Sequence, residues 1–244
     1  MKKLLFKIFI IAPVSVFAIG GFGIQLGQAS FGISELQTGR DVMVGEDKIG
    51  EAGLITDPFE NPLSGGIHLY IDAIPFIDLE ADINIIGKGY KFNFYNQTID
   101  LEGSEESDLR EIGPYDFAWG GLSTYLTIRR KVLGLGIPLL AKAKLFYGGG
   151  YNQHSLIPVI DLDLMENFLD GDLSKDPTDL SEEDLLEKLN ENKVELSGYH
   201  VQAGLQFKVL MLDTFLFYRH TFAENFVADL KSFGSLNFRI GIGI

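Results

Sequence analysis

Apolar and polar positions alternate along residues 66–86 of the chain. On both sides of a break at Ile74, Pro75 and Phe76, the odd positions are aliphatic or small. The even positions carry most of the polar side chains, which are His68, Asp72, Asp78, Glu80, Asp82 and Asn84. Because a strand points alternate side chains to opposite faces, this pattern predicts a β-hairpin with one apolar face and one polar face.

The same alternation predicts six further strands. They lie at about residues 20–27, 118–129, 138–148, 199–209, 214–222 and 235–244. The register of the strand at 214–222 stays open, because Phe215 and Phe217 compete with Leu216 and Tyr218 for the apolar face.

The second strand of the hairpin continues past residue 86 with a changed pattern. Its apolar positions switch from odd to even, as Tyr90, Phe92 and Phe94 follow Gly87 and Gly89. This switch predicts a β-bulge at the two glycines.

Short and long connections alternate between the eight predicted strands. The turns near residues 75, 129–136 and 210–213 are short. Residues 29–65, 100–116 and 151–197 form long connections, and these hold most of the 34 acidic residues. This layout predicts an all-β fold, an eight-stranded antiparallel up-and-down transmembrane β-barrel with long acidic loops at one end. Ten strands are possible if part of the first or second long connection pairs as an extra hairpin.

The alternation alone does not decide which face is inside. A soluble lipocalin-like ligand-binding barrel would bury the apolar face, whereas a transmembrane barrel turns that face to lipid. The apolar faces of the hairpin and of the last strand carry no charge. Because a lipid-facing charge costs about 2–4 kcal/mol near the midplane, this clean face favours the transmembrane barrel.

The polar faces would then line a narrow lumen. The residues predicted to face it are His68, Asp72, Asp78, Glu80, Asp82, Arg129, Lys142, Lys144, His200, Gln202 and Arg239. An eight-stranded barrel is just wide enough for side chains to fill it. Since the set mixes both signs, we expect an internal salt-bridge network that plugs the lumen. A narrow channel for small or apolar solutes is the alternative.

Composition limits the chemistry. The 244 residues include no cysteine, which excludes disulfides and a thiol nucleophile. With 20 basic and 34 acidic residues the net charge is −14, which argues against a nucleic-acid partner. Residues 1–18 have the basic start, the apolar run and the small-residue end of a signal peptide, so residues 19–244 are expected to form the barrel domain.

These features together resemble a known class. The signal peptide, the eight alternating segments, the short turns around Pro75 and Asp213 and the last strand are similar to small bacterial outer-membrane β-barrels of the OmpA and OmpX type. The resemblance implies a place in the bacterial outer membrane, with outer-membrane lipid and the barrel-assembly machinery as partners. It also implies a structural or surface-interaction role whose extracellular partner it does not name. Members of this class usually end in an aromatic residue, whereas this chain ends in Ile244.

Other chemistry has weaker support. Helices are expected near residues 162–169 and 181–189 of the third long connection. The acids there match no defined calcium loop, so they are interpreted as a solvated surface, and no metal site or cofactor is predicted. A catalytic alternative would use Ser197, His200 and His220 with Glu195 or Glu224, but no motif joins them and no enzyme is predicted. His154 is expected to be an ordinary loop residue.

Overall fold

The computed structural model describes residues 20–44, 46–74, 77–98, 108–137, 140–173, 175, 188–227 and 230–243. Most of these residues lie in β-strands. The strands are β1 (Gly20–Ser30), β2 (Gly32–Ile33), β3 (Leu36–Val44), β4 (Asp47–Thr56), β5 (Phe59–Glu60), β6 (Leu63–Ile74), β7 (Ile77–Thr98), β8 (Asp108–Ile137), β9 (Ala141–Ile157), β10 (Val194–Val209), β11 (Leu212–Phe222) and β12 (Ser232–Gly243). Helix α1 (Leu162–Phe168) lies between β9 and β10, and residues 188–191, shortly before β10, are also helical.

Eight strands close into a ring. In chain order β1, β6, β7, β8, β9, β10, β11 and β12 each pair with the next, and β12 pairs with β1. All these pairs are antiparallel. Following paired residues once around the ring leads from Gly20 to Ser30 of the same strand, and this stagger tilts the strands against the barrel axis. The predicted eight-stranded antiparallel up-and-down barrel is therefore confirmed.

The outer face of the ring is apolar. Leu26, Ile67 and Ile85 are 60%, 61% and 69% exposed, and outward positions of the other ring strands carry similar side chains. The alternate positions are buried and largely polar. A lipocalin-like barrel has the opposite arrangement, so that alternative was wrong.

Strand β7 keeps one inward face along its whole length. Its even positions from Glu80 to Phe94 are buried, with the exception of the exposed Lys88. Pairing with β8 runs without a shift past Gly87, and the irregularity lies between Phe92 and Phe94 instead. The predicted bulge at Gly87 and Gly89 was therefore wrong. The apolar pattern changes parity because the inward face passes from a polar lumen into an apolar core.

Strand β8 is much longer than expected. Residues 108–116, interpreted as part of a loop, pair with β7, and residues 130–137, interpreted as a basic turn, pair with β9. Pro114 and the glycines at 134 and 136 are residues that usually interrupt strands, so the local sequence of these two segments does not favour a strand. Continuous pairing with neighbouring strands overrides these local signals.

The first long connection contains the extra hairpin. Strands β3 and β4 pair with each other, and β4 pairs with the far end of β7 at Thr56 opposite Phe92. The sheet thus has ten strands, but β3 and β4 lie outside the ring of eight. The end of β7 offers an open edge there, because β6 starts only at Leu63, opposite Gly87.

An apolar core, here called the cap, covers the long-connection end of the barrel. Its buried aromatic members are Phe31, Phe59, Tyr90, Phe92, Phe94, Trp119, Phe168, Phe226 and Phe233. Helix α1 contributes Leu162, Met165 and Phe168, which share one face because they are three residues apart. Asp161 caps this helix by accepting a hydrogen bond from the Leu164 backbone N–H at 2.8 Å. The helix predicted at 162–169 is thus confirmed.

Two sequence predictions fall outside the residues with described structure. The signal peptide at 1–18 and most of the helix predicted at 181–189 are among them, and both stay predictions. Among the residues that the structure does describe, no helix has both the length and the apolar character needed to span a membrane.

Candidate functional site in the barrel interior

The predicted lumen residues point inward with one exception. His68, Glu80, Asp82, Arg129, His200, Gln202 and Arg239 are buried inside the ring. Asp72, Asp78 and Lys144 are half-buried near the short-turn end. Lys142 has the same parity but lies next to the turn between β8 and β9 and is exposed. The structure thus brings together all the predicted lumen charges except that of Lys142.

Two acids of β7 form the centre of the interior. Glu80 and Asp82 share one face of the strand because they are two residues apart, and both side chains are fully buried. Arg239 of β12 contacts both carboxylates. Its Nη1 lies 2.7 Å from an oxygen of Glu80, and its Nη2 lies 2.7 Å from an oxygen of Asp82. Its Nε also donates to the side-chain oxygen of Gln25. One guanidinium therefore bridges both carboxylates.

Arg219 joins opposite walls of the barrel. It lies on β11, four strands away from β7 in either direction around the ring. Its two terminal nitrogens donate to the two oxygens of Asp82 at 3.0 and 2.9 Å. Its Nε donates to the Gln202 side-chain oxygen at 3.0 Å. Because the pair is bidentate and spans the ring, it crosses the lumen.

Arg129 contacts the acids that lie nearer the short turns. Its nitrogens lie 3.5 Å from Asp72, 3.2 Å from Asp78 and 3.3 Å from Glu80. Lys144 contacts Asp72 at 3.1 Å. The four acids on β6 and β7 thus face Arg129, Arg219, Arg239 and Lys144.

Aromatic rings pack against the faces of the three guanidinium groups. The Arg129 Cζ lies 4.8 Å from the ring centroid of Phe146, and that of Arg219 lies 3.9 Å from the centroid of Tyr125. The Arg239 Cζ lies 4.4 Å from the Phe217 centroid. A planar guanidinium stacks on an aromatic face while its edge contacts carboxylates, so these contacts fix each arginine in position.

Neutral side chains complete the network. Gln202 donates to Glu80 at 3.0 Å. Gln206 and Tyr70 both donate to Asp213 near the short-turn end. These donors supply the buried carboxylates with neutral hydrogen-bond partners, as buried charge requires.

His154 belongs to the interior, so its interpretation as a loop residue was wrong. It lies on β9, which runs to Ile157, and it is buried. One ring nitrogen is 2.8 Å from the Ser123 hydroxyl and the other is 2.9 Å from the Asn152 side-chain oxygen. On the strand beside it, His200 bonds to the Thr127 hydroxyl at 2.9 Å.

Sequence reasoning missed Arg219, although a signal was present. Phe215 and Phe217 are buried inside the ring, where they line the interior with Arg219. Asp213 and Thr221 have the same odd parity as Arg219 and are also buried. Three polar residues at odd positions of one strand identify the inward face, but the two phenylalanines between them hid this pattern.

The candidate catalytic residues do not assemble. His200 is buried in the lumen, whereas Ser197 is exposed three residues earlier on the same strand. His220 lies on the outward parity of β11, where its ring packs on Phe222 at a centroid distance of 4.8 Å. The serine and the histidines therefore form no nucleophile–base pair.

Acids of the third long connection form ion pairs that link α1 to β3. Asp163 and Glu166 of α1 both form ion pairs with Arg40 of β3. The hydrogen bond that Arg40 donates to Asp163 is the largest cause that raises the pKa of this guanidinium. In the part of the chain with described structure, no three His, Cys, Asp or Glu side chains are arranged to hold a metal ion.

A second ion-pair cluster follows the end of α1. Asp170 contacts Lys188 at 2.9 Å and Lys175 at 3.3 Å. Hydrogen bonds from Lys188 and then Lys175 lower the pKa of the Asp170 carboxyl. Lys188 also donates to the Phe168 carbonyl at 2.8 Å, which satisfies a carbonyl at the helix end.

The known proteins that resemble this chain come from a comparison with solved structures. No protein-family model matches the chain. No curated protein matches it either. The outer membrane protein OprG from Pseudomonas aeruginosa matches with 11% identity and a TM-score of 0.37, over 93% of this chain and 94% of OprG. Ail, the attachment invasion locus protein of Yersinia pestis, matches with 8% identity and a TM-score of 0.32, over 93% of this chain and 97% of Ail. Ail in complex with the heparin analogue sucrose octasulfate matches with 10% identity and a TM-score of 0.33. Since these scores are low, the assignment of the fold rests on the strand pairing itself.

Proposed function

We propose that this chain is an outer-membrane β-barrel protein that holds a folded cap at the cell surface and keeps its lumen closed. The role is structural or surface interaction. The observation that carries it is the cap, because the extended ends of β7 and β8 and the β3–β4 hairpin form one sheet beyond the ring. That sheet and α1 share a buried apolar core, so the barrel supports an ordered platform rather than separate loops.

The outer face of the ring supports the membrane location. Outward side chains such as Ile67, Leu126 and Phe238 are exposed, although burial of such residues normally drives folding. A continuous exposed apolar surface of this kind on a closed barrel fits hydrocarbon and not water. The interior charges are buried away from it.

The interior supports a closed lumen. Arg219 and Asp82 connect opposite walls, and the apolar cap covers the end above them. A solute would have to displace fully buried, mutually paired charges and then an aromatic core.

The test uses the absence of cysteine from the chain. Met43→Cys places a thiol on the β3–β4 hairpin, and Leu140→Cys places one beside the short turn between β8 and β9; both positions are exposed. In intact cells an impermeant maleimide should label the first variant only, and lysis should make the second one reactive. The cells should also be fractionated and unboiled samples compared with boiled ones on a gel.

Recovery in the outer membrane with a heat-dependent mobility shift is the expected result. Recovery as a soluble protein would contradict the membrane location. Labelling of the Leu140→Cys variant in intact cells, with the Met43→Cys variant protected, would place the cap on the inner side and contradict the surface role.

A second candidate function is binding of a small apolar solute at the mouth. A pocket of about 600 Å³ lies between the barrel rim and the cap, with Trp119, Leu156, Val159 and Phe226 among its lining residues. Because Trp119 is the only tryptophan, its fluorescence should shift when a short alkane or aromatic probe binds. An unchanged spectrum at saturating probe would remove this candidate.

A further inference from the structure

Strand β8 continues at the short-turn end past the part that β7 covers. Arg129, opposite Asp78, is the last β8 residue that pairs with β7. Among the described strands, residues 130–137 pair only with β9, so they form an open edge that extends past the neighbouring β6–β7 turn. Residues 130–137 and their partners 141–145, which also pair with β10 on their other side, are here called the protruding hairpin.

The protruding hairpin is amphipathic. Leu133, Leu135 and Ile137 are 66%, 83% and 61% exposed. They pair with Leu145, Ala143 and Ala141, and because opposite residues share a face, this face continues the apolar exterior of the barrel. The other face carries Gly134 and Gly136, and the stems of Lys131 and Lys142 lie over these two glycines.

Positive charge on this hairpin is unpaired. Arg130, Lys131 and Lys142 are exposed, and none of them takes part in an ion pair within the described chain. The acids at this end, Asp72 and Asp78, point into the lumen and contact Arg129. The exterior of this end is therefore basic, although the chain as a whole carries a net charge of −14.

An apolar face beside a basic face matches the boundary between acyl chains and anionic headgroups. Leucine and isoleucine side chains partition into hydrocarbon, while lysine and arginine extend to lipid phosphates. The apolar face of the hairpin is continuous with the surface proposed to contact lipid. Both observations favour lipid over a protein as the occupant.

We propose that the protruding hairpin is a binding site for anionic phospholipid in the leaflet at the short-turn end. Arg130, Lys131 and Lys142 contact lipid phosphate, and Leu133, Leu135 and Ile137 lie among acyl chains. This inference rests on the proposed membrane location of the barrel.

The first test is lipid retention by the folded protein in detergent micelles that contain equal amounts of phosphatidylglycerol and phosphatidylcholine. Native mass spectrometry counts the lipids that stay bound. Wild type should retain phosphatidylglycerol preferentially, and the R130Q/K131Q/K142Q variant should lose that preference by tenfold or more, since each basic residue contributes about fivefold. The matched control is K88Q/K193Q/K231Q, which removes three exposed charges at the other end of the barrel.

The second test places a fluorophore at position 135 through Leu135→Cys in phosphatidylglycerol vesicles. Lipids with a quencher on the acyl chain should quench it, and a fluorophore at Met43→Cys should stay unquenched. Equal lipid retention by wild type and the first triple variant would overturn the proposal. A disulfide-linked dimer of the Leu135→Cys variant would also overturn it, because a second copy would then cover the hairpin.

Insertion separates this inference from the proposed function. If the folded barrel inserts equally into vesicles of either lipid and shows no lipid preference, only the lipid site is wrong. If it inserts into neither, the membrane location and the lipid site are both wrong.

Discussion

At the residue scale, Asp82 is the carboxylate on which the interior depends most. It accepts a bidentate pair from Arg219 and a further hydrogen bond at 2.7 Å from Arg239, and all three side chains are buried. Replacing Asp82 with Ala leaves two guanidinium groups buried without this partner. We expect the free energy of unfolding to fall by about 3–5 kcal/mol, because an unpaired buried charge keeps its desolvation cost.

Urea titration measures this loss, with the folded fraction taken from the heat-dependent gel shift. Asp41→Ala is the matched control, because it removes an acid whose partner, Lys48, is also exposed. The control should unfold at the same urea concentration as wild type. Equal midpoints for the Asp82→Ala variant and the control would show that the interior network does not stabilise the fold.

Some of the lumen residues could be predicted from the sequence, and others could not. Glu80, Asp82 and Arg239 were placed in the lumen because each lies on a strand with a clean period of two. Arg219 was missed because Phe215 and Phe217 occupy lumen positions on its strand. An alternating pattern identifies a face only where the environment along that face is uniform.

At the element scale, neighbouring strands approach β6 closely at one glycine and not at the next. A Cβ on Gly66 would lie 2.0 Å from the Ile83 carbonyl oxygen, which belongs to the backbone of β7. A Cβ on Gly65 would meet nothing closer than 3.7 Å. Gly66→Ala should therefore disturb the pairing of β6 with β7, whereas Gly65→Ala should fold like wild type.

Refolding into detergent micelles measures this difference as the fraction of protein in the fast-migrating, unboiled band. We expect a clear loss for Gly66→Ala and none for Gly65→Ala. The same loss in both variants would mean that glycine is required at this place for chain flexibility and not for the approach of β7.

The cap gives an element-scale prediction about pH. The pKa of Asp170 is lowered by Lys188 and Lys175, so its contacts stabilise the segment after α1 at pH values above the ordinary range of an aspartate. They are lost as the pH falls through the lowered pKa. Amide-exchange protection in α1 should thus be lower in Asp170→Asn than in wild type at pH 7, and the difference should be smaller at pH 2.

Glu191→Gln is the control for this comparison, because Glu191 is exposed and forms no ion pair in the described part of the chain. It should match wild type at both pH values. Equal protection in Asp170→Asn and wild type at pH 7 would show that the two lysines do not hold the end of the helix.

The cap also marks where sequence reasoning about elements failed. The eight ring strands could be predicted, because each has one face toward a single kind of surroundings for most of its length. The continuation of β7 past residue 86 and the possibility of an extra hairpin in the first long connection also follow from the sequence. The extension of β8 and the pairing of β4 with β7 do not, since they are set by the open edge of β7. Such an edge exists only in the folded protein, so the residues that pair with it carry no local sequence signal for that pairing.

At the scale of the whole molecule, several barriers close the lumen. Tyr70, Phe146, Phe215 and Phe217 pack against the guanidinium groups of the arginine–acid network, and the apolar cap covers the far end. Barriers in series stop a solute as long as one of them is intact. Wild type in a planar lipid bilayer should therefore show no steady conductance.

Variants that weaken one barrier at a time test this arrangement. Glu80→Gln with Arg239→Gln removes one buried pair without changing the net charge, and Phe226→Ser with Phe233→Ser loosens the cap. Each double variant should insert, with insertion verified by the gel shift, and remain closed because the other barriers persist. A steady channel in only one of them would identify that layer as the sole gate. A steady channel already in wild type would instead mean that ions pass beside the paired charges, which would contradict a closed lumen altogether.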